Sequence, residues 1–231
     1  MKRIILKLSV CTMLFAVTVF AQDWKPLYDG KTLDGWEQHG SCLWSSLPGG
    51  ILLGQRVHKN AAKPEGLVFP LDSGQFSKWA YQQAWLYTKS TFTNFDLSLE
   101  YLVPPGLNSG VSLRDPTRGK FVTGEATAAD GVNTGSPAHN GYEIQIIDGP
   151  EKYPTGSVYL FDAAKFGGQK SGQWNTMVIE SRADKIRVKL NGAVVSESAG
   201  DLKRPKSGPI GLQLHDQFTF VMFRDIKIRE Y

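Results

Sequence analysis

The segment HNGYEIQIIDG, residues 139–149, alternates polar and apolar side chains, with Glu143 and Gln145 set against Ile144 and Ile146. Successive side chains of a β-strand point to opposite faces, so the isoleucines can enter a core while Glu143 and Gln145 share the other face. A carboxylate can act as a general base, and an amide can bind hydroxyl groups. The pattern therefore indicates either a solvated sheet face or a site.

Four other strand-like segments also have one apolar and one polar face. The residues that share a polar face by alternation are Tyr87 with Lys89, Ser98 with Glu100, Ser112 with Arg114, and Gln213 with His215. A half-solvated antiparallel sheet gives the same alternation, so a plain surface remains an alternative. The collection of Tyr, Arg, Gln, His and Glu side chains fits a concave carbohydrate-binding face, where aromatic rings stack on sugars and polar groups bind hydroxyls.

His215 is the histidine that we expect to act as an acid, a base or a ligand. It lies two residues after Gln213 on the same predicted face, and imidazole titrates near neutral pH. The four histidines of the chain show no HExxH or paired-ligand spacing, which argues against a preformed structural zinc site. The sequence also contains no GxSxG nucleophile motif and no phosphate-binding loop.

Short alternating segments bounded by Gly, Pro, Asn and Asp must position these side chains, because little helical periodicity follows residue 24. The predicted strands are 95–103, 109–115, 141–148, 156–162, 174–182, 185–190, 193–198, 210–216 and 218–231. Asn191-Gly192 is typical of a two-residue hairpin turn. The sequence predicts an all-β fold, an antiparallel two-sheet β-sandwich. Residues 54–83 and 116–140 are predicted to be long loops, and the second is either a functional flap or a poorly ordered excursion. A short helix is an alternative at residues 74–85.

The first 21 residues have the layout of a secretory signal peptide, with Lys2 and Arg3 before an apolar stretch that ends at Ala21. We expect cleavage after Ala21, a periplasmic or secreted protein without stable membrane insertion, and a single domain over residues 22–231. Loss of this segment removes three basic residues and no acidic ones, so the formal charge falls from +4 to +1. This charge gives no support for a nucleic-acid partner. Cys42 is then the single cysteine, so no intramolecular disulfide is expected.

Six blocks in order along the chain resemble the 3-keto-disaccharide hydrolase domain family. They are WKPLYDGKTLDGWE (24–37), NSGVSLRD (108–115), GYEIQIID (141–148), WNT (174–176), LNG (190–192) and GPIGLQLHD with FRDIKIREY (208–231). The resemblance implies a concanavalin A-like jelly-roll fold and an enzyme that cleaves an oligosaccharide or glycoside substrate. It also implies that the substrate is first oxidised at carbon 3 by a partner sugar 3-dehydrogenase. The chain departs from the family pattern at FRDIKI, where FRNI is usual, and at LQLHD, where LQDH is usual.

A ketone at carbon 3 acidifies the hydrogen on carbon 2, so a base can remove that proton and expel the substituent on carbon 1, after which water adds. For this chemistry we assign Glu143 as the base, His215 as the acid, and Lys89 and Arg114 as stabilisers of the enolate oxygen. A divalent metal is an alternative to this cationic pair, and the sequence leaves the choice open. The predicted substrate-binding residues are Gln145, Glu100, Gln213, Asn108 and Tyr159.

Two other functions remain open. EIQIID resembles, at a distance, the carboxylate-bearing strand of family-16 glycoside hydrolases, in which one carboxylate is the nucleophile and a second is the acid/base. Here Gln145 replaces the middle acid, and alternation places Asp148 opposite to Glu143 unless a bulge intervenes. A non-catalytic carbohydrate-binding module would use Gln145, Gln213 and Asn108 equally well.

Overall fold

A computed structural model describes residues 23–56, 82–165, 167–216 and 220–231 of the chain. The expected signal peptide and most of the predicted loop 54–83 lie outside the described residues. The same is true of most of the helix considered at 74–85, whose last two residues, Ala84 and Trp85, instead begin a strand.

Thirteen β-strands occur within the described ranges. They are β1 (Lys25–Pro26), β2 (Trp36–His39), β3 (Cys42–Leu47), β4 (Ile51–Arg56), β5 (Ala84–Thr88), β6 (Phe95–Leu102), β7 (Asn108–Leu113), β8 (Tyr142–Ile147), β9 (Asn175–Arg182), β10 (Lys185–Leu190), β11 (Ala193–Ser198), β12 (Ile210–Leu214) and β13 (Phe220–Glu230). One α-helical turn, α1 (Pro137–Asn140), and a 3-10 turn (Ala128–Asp130) interrupt the loop between β7 and β8. No helix in these parts of the chain is long and apolar enough to cross a membrane.

The strands form two antiparallel sheets. The larger has the order β11-β10-β9-β6-β13-β4-β3, with β1 paired to β13, and the smaller has the order β2-β5-β12-β7-β8. The predicted all-β, two-sheet sandwich is therefore confirmed. Each segment alternates as the sequence indicates, so the inward side chains of both sheets meet in one buried apolar cluster that includes Leu97, Leu99, Val111, Ile144 and Leu212.

The predicted strand 156–162 does not form as an element of its own. Val158 makes isolated bridges to Ile144 and Asp162, and Leu160 has a positive φ of 71°, so the chain reverses within this segment. Val158 is buried in the core, as the alternation predicts. A tight turn follows it, so the segment pairs with β8 only at the Ile144–Val158 bridge.

Candidate functional site

The candidate site lies on the polar face of the five-stranded sheet. The register of the strands sets residues side by side in two rows that cross this sheet. The first row is Glu37, Tyr87, Gly211, Ser112 and Glu143. The second row, two residues along each strand, is His39, Trp85, Gln213, Gly110 and Gln145. Directly opposite residues of antiparallel strands point to the same side, so these side chains converge on one face.

Two glycines make room for the side chains of this face. A Cβ atom on Gly110 would lie 2.9 Å from Glu143 Oε1 and 3.1 Å from Gln213 Oε1. A Cβ atom on Gly211 would lie 2.4 Å from Cε1 of the Tyr87 ring. The carboxyl of Glu143 and the amide of Gln213 therefore lean over Gly110, while the Tyr87 ring covers Gly211.

Glu143 is the central titratable group of the site, and its side chain is only 6 % exposed. Burial raises the pKa of this carboxyl from 4.5 to about 7, because a charged carboxylate is poorly solvated there. The charge of His215 and the amide of Gln213 lower the pKa, and the negative charge of Asp115 raises it. A carboxyl with a pKa near neutrality is suited to act as a general base or acid at physiological pH.

Arg114 does not lie on this face, contrary to the prediction from alternation. Strand β7 ends at Leu113, and Arg114 has a positive φ of 59°, which turns its side chain away from Ser112. The guanidinium is buried, and it donates hydrogen bonds to the carbonyl oxygens of Ala183 at 2.7 Å and Thr93 at 2.5 Å. Arg114 is therefore a structural residue at the end of the sandwich.

Asp115 occupies the position on the site side that alternation had assigned to Arg114. Its Oδ2 atom accepts hydrogen bonds from the Tyr87 hydroxyl at 3.2 Å and from the Gly119 N–H at 2.8 Å. Its Oδ1 atom accepts from the Thr117 N–H at 2.9 Å and from the Thr117 hydroxyl at 2.7 Å. Asp115 is fully buried, and its charge also raises the pKa of Tyr87 after the larger effect of burial.

Several predicted residues are brought together around Glu143. Gln145 and Gln213 flank Gly110, and Gln213 donates a hydrogen bond from Nε2 to Gln83 Oε1 at 3.2 Å. His215 follows β12 on the same side, is partly exposed, and places its Nδ1 atom 3.1 Å from Asp216 Oδ1.

Asn108 and Tyr159 also lie on the face of Glu143. Asn108 begins β7 two residues before Gly110, and its side-chain oxygen is buried without a hydrogen-bond partner among the described residues. Tyr159 stands opposite Glu143, because its N–H donates to the Glu143 carbonyl at 2.8 Å beside the Ile144–Val158 bridge.

Glu100 and Lys89 are placed elsewhere. Glu100 belongs to β6 of the larger sheet, where it forms an ion pair with Arg224 at 2.6 Å, because the pairing order of the strands separates β6 from β7 and β8. Lys89 has an exposed side chain and follows β5, which β12 and β7 separate from β8. Three strand spacings put Lys89 on the order of 14 Å across the sheet from the strand of Glu143.

The start of the predicted flap, residues 116–125, covers the β2 and β5 side of the face. Glu125 Oε2 lies 2.6 Å from His39 Nδ1, and Arg118 forms an ion pair with Glu37. A Cβ atom on Gly119 would meet Cδ1 of the fully buried Trp85 ring at 3.1 Å. The loop therefore covers this side of the site. Beneath it the rings of Trp85 and Tyr87 are stacked, with their centroids 5.6 Å apart.

The interpretation of the sequence missed several residues of this face. The chief ones are Asp115, Ser112, His39 and Glu125. Alternation places Ser112 beside Arg114 and suggests no role for it, but in the structure it lies opposite Glu143 and its hydroxyl interacts with the Tyr87 phenol. The alternation of Glu37 and His39 and the loop at 116–125 were the available signals, but neither shows which strand lies beneath the loop.

No group of three or more His, Cys, Asp or Glu side chains within the described ranges is arranged to hold a metal ion. The metal considered from the sequence therefore stays a prediction, and the chemistry proposed below uses side chains of the chain itself.

A family model for the 3-keto-alpha-glucoside-1,2-lyase-like domain matches residues 23–229. The chain belongs to this family. The resemblance noted in the sequence is thereby confirmed, and the match includes both rows of the site. No curated protein matches the chain significantly.

Solved structures with the same fold include sugar-related proteins. A "putative glycosyl hydrolase" from Parabacteroides distasonis is 26 % identical, with a TM-score of 0.62, and the match covers 90 % of this chain and 100 % of that one. A second such protein from the same organism is 16 % identical, with a TM-score of 0.62 and coverage of 90 % and 94 %. The Bacillus licheniformis β-glucanase is 8 % identical, with a TM-score of 0.54 and coverage of 93 % and 100 %, and it shows the shared jelly-roll fold alone. The family and these neighbours indicate a carbohydrate-acting jelly-roll protein.

Proposed function

We propose that this protein is an exported enzyme that cleaves the glycosidic bond of 3-keto-glycosides by elimination followed by addition of water. The observation that carries the proposal is Glu143, a buried carboxyl whose pKa is raised to about 7 on a sheet face that also carries Gln145 and Gln213. The family match supports the substrate class, and the N-terminal sequence supports export. A sugar 3-dehydrogenase would supply the ketone.

In the first step, the Glu143 carboxylate takes the proton from carbon 2, and the electrons of that bond form the enolate of the carbon-3 ketone. A base must be ionised to do this, and a pKa near 7 leaves a substantial carboxylate fraction at neutral pH while keeping the base strong. The 3-keto group is essential, because an unoxidised sugar has no acidic hydrogen at carbon 2.

The enolate oxygen needs a hydrogen-bond donor, and Arg114 cannot serve because its guanidinium is bound to two backbone carbonyls. The amide of Gln145 replaces it in the proposal. Gln145 lies two residues from Glu143 on the same face, is almost fully buried, and makes no side-chain hydrogen bond to the described residues.

In the second step, the enolate collapses, the bond from carbon 1 to the leaving oxygen breaks, and His215 gives its proton to that oxygen. The charge of His215 lowers the pKa of Glu143, so the two groups are close in space. The partial exposure of His215 allows it to exchange protons with solvent. Water then adds its hydroxyl to carbon 1 of the unsaturated 3-keto sugar while its other proton passes to His215, and Glu143 returns its proton to carbon 2, so both residues regain their starting protonation.

The test is to incubate wild-type protein and Glu143→Gln protein with 3-keto derivatives of several glucosides, with and without a chelator. The wild type should release the aglycone with a transient 2-hydroxy-3-keto-glucal, and the variant should lose about a hundredfold or more in kcat. Near wild-type turnover by the folded variant would remove Glu143 from the chemistry. Loss of wild-type activity with chelator would return the metal to the mechanism.

The same experiment separates the two other functions. Binding of glycosides without any release would show a carbohydrate-binding module. Cleavage of unoxidised β-glucan would favour a retaining glycosidase, although Asp148, its required second carboxylate, lies beyond the end of β8 and is hydrogen-bonded by the Ser171 hydroxyl at 2.5 Å.

A further inference from the structure

Two tyrosines form an aromatic pair at the edge of the sheet that carries Glu143. The rings of Tyr153 and Tyr159 have centroids 5.1 Å apart at an interplanar angle of 60°, and both residues are half-buried. Lys152 Nζ lies 5.2 Å from the centroid of the Tyr153 ring. Neither ring belongs to the buried apolar cluster between the sheets, so the pair is not explained by the core.

The position of Tyr159 follows from backbone pairing. Ile144 and Val158 form an antiparallel bridge, the Tyr159 N–H donates to the Glu143 carbonyl, and the Gln145 N–H donates to the Ser157 carbonyl at 3.0 Å. Tyr159 is therefore directly opposite Glu143, with a Cβ separation on the order of 5 Å. The Tyr87 ring, on the other side of Glu143, is fully buried over Gly211 and its hydroxyl donates to Asp115, so it offers no exposed platform.

The segment that carries Tyr159 is held firmly against β8. The Gly156 N–H donates to the Gln145 carbonyl at 2.9 Å, and the Ser157 hydroxyl donates to the Pro154 carbonyl at 2.6 Å while accepting from the Ala164 N–H at 2.9 Å. Val158 is fully buried. A platform held in this way binds a ring with little loss of conformational entropy.

The polar groups of the site lie on the inner side of Glu143, toward β7 and β12, whereas the two tyrosines lie on its outer side, at the edge of the sheet. The amide of Gln213 comes from β12 and the hydroxyl of Ser112 from β7, and the buried Oε1 atom of Gln213 has no partner among the described residues. The keto sugar, with its carbonyl and hydroxyls, fits this inner side. The outer side is aromatic, and among the described residues neither phenol of the pair has a hydrogen-bond partner, so it fits a ring with an apolar face.

We propose that Tyr153 and Tyr159 form the leaving-group subsite, which accepts a ring-shaped aglycone, either a second sugar or an aryl group. The inference rests on the proposed function, because it places the bond to be broken between Glu143 and this aromatic pair. It makes ring-bearing 3-keto-glycosides the preferred substrates over those with a small alkyl aglycone. Aromatic rings stack on aryl and sugar faces, whereas a methyl group leaves the platform uncovered.

The experiment compares kcat/KM for the 3-keto derivatives of a methyl glucoside, a phenyl glucoside and a disaccharide, all of one anomer. Tyr159→Ala and Tyr153→Ala should each lose about tenfold on the phenyl and disaccharide substrates and little on the methyl substrate. Tyr159→Phe should keep most of the phenyl activity. Leu202→Ala, at a highly exposed apolar residue, is the matched control for loss of surface. Equal losses on all three substrates, or no loss on the ring-bearing pair, would overturn the subsite, and a loss on one ring class alone identifies the aglycone.

A binding measurement keeps this inference separate from the proposed chemistry. If the wild type cleaves no 3-keto-glycoside, the proposed function fails, and calorimetry with the unoxidised phenyl and methyl glucosides then tests the subsite. The wild type should bind the phenyl glucoside more tightly, and Tyr159→Ala should remove that difference. Equal affinity of the wild type for both glucosides refutes the subsite.

Discussion

Glu143 shows how one buried carboxyl links chemistry to stability. Its pKa is raised from 4.5 to about 7 in the folded protein, so the folded state favours the protonated form. The contribution to stability is fully present below pH 4.5 and is lost as the pH rises through 7. Above that range, ionisation of the buried group costs roughly 3 kcal/mol relative to the unfolded chain. The site therefore gains a base poised near neutral pH at the expense of stability.

Glu143→Gln should raise the free energy of unfolding at pH 8 by up to about 3 kcal/mol, because the neutral amide needs no charge solvation. At pH 4 the gain should disappear, since the carboxyl is protonated in the folded protein and largely protonated in the unfolded chain. Urea denaturation at both pH values measures the difference, with Glu100→Gln, at a partly exposed ion pair, as the control. A gain of equal size at both pH values would contradict the raised pKa.

Asp115→Asn should move the acid limb of the kcat/KM profile to lower pH. The negative charge of Asp115 contributes to the raised pKa of Glu143, so its removal makes Glu143 ionise more easily. Thr117→Val is the control, because it removes the 2.7 Å hydrogen bond to Asp115 and leaves the charge in place. The same displacement in both variants would show that packing, and not charge, acts on Glu143.

At the level of elements, the start of the loop between β7 and β8 is held by a histidine–carboxylate contact. Burial alone would lower the pKa of His39, but hydrogen bonds and charge from Glu125 and Glu37 outweigh it and raise the pKa. Burial alone would raise the pKa of Glu125, but His39, the Gly40 N–H and Lys120 lower it. The contact therefore contributes its full stabilisation from about pH 4.5, where free glutamate ionises, to about pH 6.5, where free histidine loses its proton, and this contribution is lost as the pH rises through the raised pKa of His39.

The amides of Gly124, Glu125 and Ala126 should be better protected from hydrogen exchange at pH 6 than at pH 9, after correction for the intrinsic rates. Above the raised pKa of His39, the imidazole becomes neutral and its attraction to Glu125 weakens. Glu125→Gln should flatten this dependence, while Lys120→Gln, which retains the contact at His39, should preserve it. A flat profile in the wild type would show that other contacts hold the loop.

On the scale of the whole molecule, Arg114 connects the two sheets. Its guanidinium leaves the end of β7 in the smaller sheet and binds carbonyls at Thr93, before β6, and at Ala183, between β9 and β10 of the larger sheet. A buried charge that satisfies two carbonyls is costly to truncate, because those carbonyls lose their partners.

Arg114→Ala should lower the free energy of unfolding by about 3 kcal/mol and leave kcat per folded molecule nearly unchanged. Denaturant titration and kinetics at a temperature where the variant is folded measure both quantities. Arg187→Ala, at a partly exposed arginine on the larger sheet, should cost less than about 1 kcal/mol. A stable Arg114→Ala protein with a large loss of kcat would return the guanidinium to the chemistry.

The sequence by itself determined which residues of each strand face the same way. Glu143 and Gln145 stand opposite Ile144 and Ile146 because alternation is a local property of extended backbone. The all-β class followed from the same pattern, repeated in short segments between turn residues. The family was evident from six ordered blocks, which the family match over residues 23–229 confirms.

Only the tertiary structure decided which strands are neighbours and where the alternation breaks. Glu100 follows the same local pattern as Glu143 but belongs to the other sheet, because strand pairing depends on contacts distant in sequence. Because Arg114 has a positive φ, its side chain leaves the site face and Asp115 lies there instead. The Arg114 side chain then donates hydrogen bonds to carbonyl groups next to strands of the larger sheet. The local sequence pattern therefore specified the faces of the strands, while nonlocal strand pairing and the positive φ at Arg114 determined which residues form the site.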